Sequence, residues 1–228
     1  MKKKILIVAA HPDDDILGCG GFISKFKKHT IRVIFLAEGS SCRFNNLTKD
    51  RDKILAAIKK RKNMSIKALK YLKVKQFFYY ENPCGRLDTV PIIKLNKILE
   101  NEISNFSPNI ILTHSENDCN NDHRIVFRSV MMSTRPNSKF TVPTIMSFEI
   151  LSSSEWNYPK YFEPNKFEKM ERKNIIEKYN ALKFFKTEVQ KRPLPRNKEG
   201  LFTLAKYRGL QSGFEFAEAY KIIRSINR

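Results

Sequence analysis

Residues 11–15 read His-Pro-Asp-Asp-Asp directly after the apolar run 5–10, and a second polar stretch, HSENDCNNDH at 114–123, follows the apolar run 109–113. Three adjacent carboxylates at the edge of a core repel one another and are costly to desolvate, so the pattern calls for a cation among them. His11 and Asp14 lie three apart on a tight loop and can converge on one ion, and His123 on the second loop can supply a third donor. Two histidines and one carboxylate leave a coordination position for water, the arrangement of a catalytic zinc site. Asp13, next to such an ion but not on it, can take a proton from water. Asp15 fits a helix start, where an acid is favoured. The HxxD spacing alone also describes an N-capping aspartate beside an incidental histidine.

The chain between these loops must bring them together. Residues 5–10 predict a strand, and the glycine-rich 18–21 leads into a helix over 22–28. The run 31–37 suits a strand buried on both faces. A helix over 50–72 carries Ile54, Ala57, Ile58, Ser65, Ala68 and Leu72 along one face. Strands at 76–80, 109–114 and 144–150 alternate with helices at 92–103 and 123–133. Such alternation predicts an α/β fold with a doubly wound, mostly parallel, Rossmann-like sheet, helices on both faces, and a helical C-terminal part at 173–188, 199–207 and 214–224. With no repeat and no Gly/Ser/Pro-rich linker, 1–228 is expected to be a single domain. In the strand order 3-2-1-4-5 the loops after strands one and four flank the switch point where ligands bind, so the two acidic loops are expected to share one crevice.

With 41% hydrophobic residues and 17 Phe among 228, the composition fits a folded globule. The 43 Lys and Arg against 23 Asp and Glu give a net charge of +20. That charge admits nucleic acid, an anionic membrane surface, a phosphorylated substrate, or lysines on solvated faces. No zinc-finger, helix-turn-helix or aromatic RNA-binding motif accompanies the basic runs at 25–29 and 59–62, which disfavours nucleic acid. No apolar run reaches a membrane span, leaving at most peripheral membrane contact. The N-terminal MKKKILIVAA is too short for a signal peptide, and Cys19, Cys42, Cys84 and Cys119 form no CxxC pair. Both features set the expectation of a cytoplasmic protein with reduced thiols.

The stretch AHPDDDILGCGG at 10–21 resembles the AHPDDE signature of the PIG-L/LmbE family of zinc-dependent N-deacetylases, and Asp122-His123 resembles its second signature. SSCRF (40–44), GRLDTVP (85–91), SSSEWN (152–157), FEPN (162–165) and AKYRGLQSGFEFAEAY (205–220) are similar to the bacterial branch linked to surface-sugar biosynthesis. The resemblance implies one Zn2+ per chain, or another divalent ion, on His11, Asp14 and His123, with Asp13 as general base and Asp122 orienting a neighbouring histidine. It places Arg43 and Arg86 against polar groups of the substrate and Trp156, with Phe148, in a sugar pocket. Asn82, Asp88, Asp118 and Arg196 are weaker candidates. The implied reaction removes an acetyl group from an N-acetylated amino sugar on an anionic nucleotide or lipid carrier.

Three departures from the family pattern matter. Asn120 stands where many members have a histidine, Leu194 where the closer branch has one, and Asp15 replaces the signature glutamate. His114 is then the histidine left to protonate the leaving amine or hold the oxyanion, with Asn120 offering a neutral hydrogen bond. A catalytically weak member that binds a sugar or a partner is the alternative.

Overall fold

The computed structural model describes residues 2–136 and 140–226. Seven strands form one sheet: β1 (Lys4–Ala9), β2 (Thr30–Ala37), β3 (Gln76–Asn82), β4 (Ile110–His114), β5 (Thr144–Phe148), β6 (Lys166–Met170) and β7 (Phe216–Ser225), in the order β3-β2-β1-β4-β5-β7-β6. The first five pair in parallel, and β7 runs antiparallel to both β5 and β6. β1 shows why the early strands are apolar throughout. Ile5, Ile7 and Ala9 join the core on one face, while Leu6 and Val8 join the core on the other, because successive side chains alternate between faces that are both covered.

Helices α1 (Asp14–Lys25), α2 (Arg51–Tyr71), α3 (Ile92–Phe106), α4 (Asn121–Ser133), α5 (Arg172–Leu182) and α6 (Lys198–Leu210) cover the sheet. Among the described residues no helix is long and apolar enough to cross a membrane. β1 and β4 are neighbours, so the loop 10–13 and the loop 115–120 lie side by side at the strands' carboxyl ends, as the strand order predicts.

Three expectations are corrected. α1 begins at Asp14, eight residues earlier than predicted, and takes the glycines into its body. They are there for close packing: a Cβ on Gly18 would run into the Phe148 ring, and one on Gly21 would lie 2.8 Å from the Glu218 carboxylate. Residues 214–224, expected to be helical, form most of β7, and β6 was not foreseen. The Ala, Glu and Lys content of this stretch favours helix locally, but tertiary pairing overrides it. Glu218 on β7 accepts hydrogen bonds from the Gly21 and Phe22 amides at 2.9 and 2.6 Å and from Lys178 Nζ at 2.7 Å, tying β7 to α1 and α5. α5 also stops at Leu182, six residues short of its expected end.

Candidate metal centre and its acid–base surround

The abrupt end of β1 and the start of α1 hold His11 and Asp14 on one turn, and α4 opposite begins with His123 in its first turn. His11 Nδ1 lies 3.2 Å and His123 Nε2 3.3 Å from Asp14 Oδ2. All three side chains are buried, and their ligand atoms lie within 4.8 Å of one another. Both ring nitrogens of His123 are buried with no hydrogen-bond partner among the described residues, so the Asp14 and Asp118 carboxylates face them as charges. Two imidazole nitrogens and one carboxylate oxygen converging in this way fit a zinc-type divalent ion.

Each histidine is backed by a second carboxylate on its far nitrogen. His11 Nε2 pairs with Asp122 Oδ2 at 2.9 Å, and Asp122 also accepts the Gly85 and Leu87 amides at 2.6 and 3.0 Å. His123 Nδ1 faces Asp118 Oδ1 at 3.0 Å, and Asp118 is held by the hydroxyls of Ser153 and Ser154. Such partners fix the ring orientation and leave the near nitrogen for a ligand. Burial opposes charge on His11, but the bonds to Asp122 and Asp14 win and raise it to about 9. Burial likewise opposes charge on His123, and Asp14 and Asp118 raise it to about 10. Against the burial that would raise it, His123 and His11 hold Asp14 well below the usual carboxylate range. The cluster is thus built for positive charge.

Asp13 occupies a strained backbone at φ 141°, ahead of α1, where its carbonyl accepts the Ile16 and Leu17 amides. Its carboxylate lies between two guanidinium groups, Arg61 Nη2 at 2.8 Å on Oδ1 and Arg196 Nη1 at 3.2 Å on Oδ2. Arg61 also donates to the Pro12 carbonyl at 3.1 Å and to Glu188 Oε1 at 2.5 Å, and Arg43 reaches the same glutamate oxygen at 2.7 Å. Burial pushes Asp13 up, Arg61 restrains it, Asp14 adds to the rise, and the result is about 6. Burial would raise Glu188 too, but Arg61 and Arg43 bring it down to about 2.

The structure brings together His11, Asp13, Asp14, Asp122 and His123. His114 is placed otherwise than expected. Its Nε2 accepts the Ala10 amide at 2.8 Å, and its ring stacks on His123 at 3.9 Å between centroids. Burial and the neighbouring His123 push it down to about 3. With Nε2 an acceptor, the neutral ring carries its proton on Nδ1, which is buried with no hydrogen-bond partner among the described residues. Asn120 serves as the N-cap of α4, its Oδ1 accepting the Asp122 amide at 2.9 Å. Asp15 is fully buried with both oxygens unpartnered among the described residues, and burial, with Asp13 and Asp14, pushes it well above the usual carboxylate range. Phe148 is core, packed on Gly18 and His114.

Around the mouth, Trp156 is 42% exposed on a short 3-10 turn, in the segment whose Ser153 and Ser154 grip Asp118. Arg43 lies across Glu188, and Arg86 sits half-buried one residue beyond the Gly85 amide that binds Asp122. Arg61 and Glu188 escaped the sequence reading, and Asp118 and Arg196 were underweighted. Arg61 hid inside the basic run 59–62, although it falls seven residues after Ile54 and four before Ser65, in phase with the buried face of α2. Nothing local marks Glu188 or Arg196: tertiary structure brings Arg196 to Asp13 and Glu188 to Arg61.

The profile of the PIG-L family, described as GlcNAc-PI de-N-acetylase, matches residues 6–133, which include His11, Asp13, Asp14, Asp118, Asp122 and His123. No curated protein sequence matches the chain. Among solved structures, conserved protein TT1542 from Thermus thermophilus is similar at 18% identity and TM-score 0.76, over 99% of this chain and 97% of that one. N,N'-diacetylchitobiose deacetylase from Pyrococcus horikoshii is similar at 18% identity and 0.73, over 97% and 84%. GalB, the 4-carboxy-2-hydroxymuconate hydratase from Pseudomonas putida, is similar at 19% identity and 0.75, over 100% and 98%. At these identities the likeness is one of fold.

Proposed function

This chain belongs to the PIG-L family, and on that footing we propose that it is a metal-dependent hydrolase that removes the acetyl group of an N-acetylated amino sugar, releasing acetate and a free amine. The observation that carries the reading is the donor set His11, Asp14 and His123 with the Asp13 carboxylate held beside it. A divalent ion there, zinc at one per chain in this reading, polarises an amide carbonyl and makes water more acidic.

The chain's own residues do the rest. Asp13, at about 6, is ionised at neutral pH and close enough to it to take a proton from the attacking water and return it to the departing nitrogen. Arg61 is buried and bound to Asp13, Glu188 and the Pro12 carbonyl, so it fixes where that carboxylate points. Arg196 is anchored through Nε by the Leu151 carbonyl and Ser152 Oγ, with Nη1 turned to Asp13. That makes Arg196 the cation placed to stabilise charge on the carbonyl oxygen, the role first sought in His114 and Asn120. Trp156 offers a face for a sugar ring, with Arg43 and Arg86 for its polar substituents, and the +20 charge favours an anionic nucleotide or lipid carrier. A cytoplasmic site of action completes this reading.

The test is acetate and free amine released from a panel of free and UDP-linked N-acetyl amino sugars by zinc-loaded protein. Equimolar release supports the reading, and the UDP-linked form should show the stronger rise of KM with salt. Metal-bound protein that binds a sugar yet releases nothing from the whole panel would make it a binding protein. The likeness to a hydratase raises a second reading, water addition to a carbon–carbon double bond. Loss of ultraviolet absorbance from an unsaturated dicarboxylic acid, without acetate release, would favour it.

A further inference from the structure

The far side of His11 faces a second group of donors. His11, Asp122 and Cys84 each offer one ligand atom, all within 4.8 Å of one another and all three residues buried, and His11 Nε2 lies 2.9 Å from Asp122 Oδ2. A second thiol stands beside Cys84, since Cys42 Sγ is 3.1 Å from Cys84 Sγ. These thiols come from different loops, one after β2 and one after β3, and buried polar contacts join the two. Glu38, itself buried, accepts the amides of Ser40 at 2.6 Å and Ser41 at 3.0 Å, which set the loop carrying Cys42, and the amide of Cys84 at 2.8 Å. Gly85 at φ +71° lets the two loops close, because a Cβ there would lie 2.9 Å from Cys42 Cβ. The Gly85 amide in turn fixes Asp122.

A sulfur, an imidazole nitrogen and a carboxylate oxygen make a softer donor set than the nitrogen and oxygen donors of the first site, and they suit zinc or cadmium. We propose that Cys84, His11 and Asp122 form a second, thiophilic divalent-metal site that shares His11 with the first, with the Cys42 thiol beside Cys84 as an outer partner. An ion there would replace the proton that His11 Nε2 shares with Asp122, and that proton would be released to solvent as the ring becomes a bridging imidazolate. The bond that orients His11 toward the first site is then lost, so excess thiophilic metal disarms the centre. The inference is tested apart from the deacetylase reading, since His11 is the one ligand the two sites share and the readout is on the thiols, which that reading does not use.

The experiment titrates zinc-loaded protein, kept reduced with a phosphine, with Cd2+ and follows thiolate-to-cadmium charge-transfer absorption. The first site has no sulfur donor, so exchange of its ion gives no such band. The expected result is a saturable band at one further equivalent, absent in Cys84→Ser. In Cys42→Ser the cadmium affinity should fall by at least the ~10-fold seen when a partner outside the ligand set is removed. Cys119→Ser should leave the band unchanged, and circular dichroism should show each variant folded. No band in the reduced parent, or a band that survives in folded Cys84→Ser, overturns the proposal.

Discussion

The half of the sheet built from β1 to β4 and the half built from β5 to β7 contribute unlike things to one crevice. The first half supplies every donor of the proposed metal site, the partners on their far nitrogens, and Asp13, all within the matched residues 6–133. The later half supplies Arg196, Glu188 and the serines that hold Asp118, none of which lies in that span. Its own strand β7 runs antiparallel and is fastened to α1 by one buried carboxylate, Glu218. The ion's position is thus set by short loops at a switch point, while the charge around the reacting groups is set by segments far along the chain. Relatives that share the first half can therefore differ in rate or reaction through the second.

Changes on each side should separate those contributions. The largest effect is expected for Asp13→Asn, which should retain the ion on elemental analysis but lose ~10²–10⁴-fold in kcat, the usual share of general-base catalysis. Loss of the ion instead would make Asp13 a ligand and move it across the divide.

From the other half, Arg196→Met should lower kcat by ~10²–10³-fold with metal content unchanged, the scale of losing one oxyanion donor. Arg196→Lys should recover part of that loss because it restores the charge. Equal loss in both variants would assign Arg196 a packing role.

Asp118→Asn tests the seam between the halves, since the aspartate is from the first and its serines from the second. It should weaken metal binding ~10–100-fold in calorimetric titration, the usual effect of an outer partner of a ligand histidine. A kcat effect at saturating metal with unchanged affinity would contradict that assignment.

The smallest effect is one of pH. His11 and His123 titrate at about 9 and about 10 against an ordinary 6.5. Their folded-state values are raised, so their contribution to the stability of metal-free protein is complete below pH 6.5 and is lost as pH rises through 9 to 10. The Tm of chelator-treated protein should fall across that window by a few degrees, on the order expected for a kcal/mol-scale change in a domain this size. Metal affinity should rise over the same window, because binding displaces protons from both rings. A flat Tm profile from pH 6.5 to 10 would show that Asp122 and Asp118 do not charge these histidines.

Much of this was determined by the sequence alone, where local pattern and final environment agree. β1 is apolar at every position after Lys4 because both its faces are covered, so its end could be located, and with it His11, Asp13 and Asp14 on the loop that follows. Alternation of strands and helices fixed the neighbours β1 and β4, and so the meeting with His123. What only the tertiary structure decided concerns groups whose meaning comes from a distant partner. Residues 216–225 are a strand because Glu218 finds the amides of α1, against the local leaning to helix. Gly18 and Gly21 lie within a helix because Phe148 and Glu218 press against them. Arg61 and Arg196 became partners of Asp13, and His114 became a neutral spacer, through contacts spanning 48, 183 and 104 residues. Charge and protonation depend on which groups end up within a few ångströms in a dry interior. Spacing along the chain carries that information only when the partners share a turn.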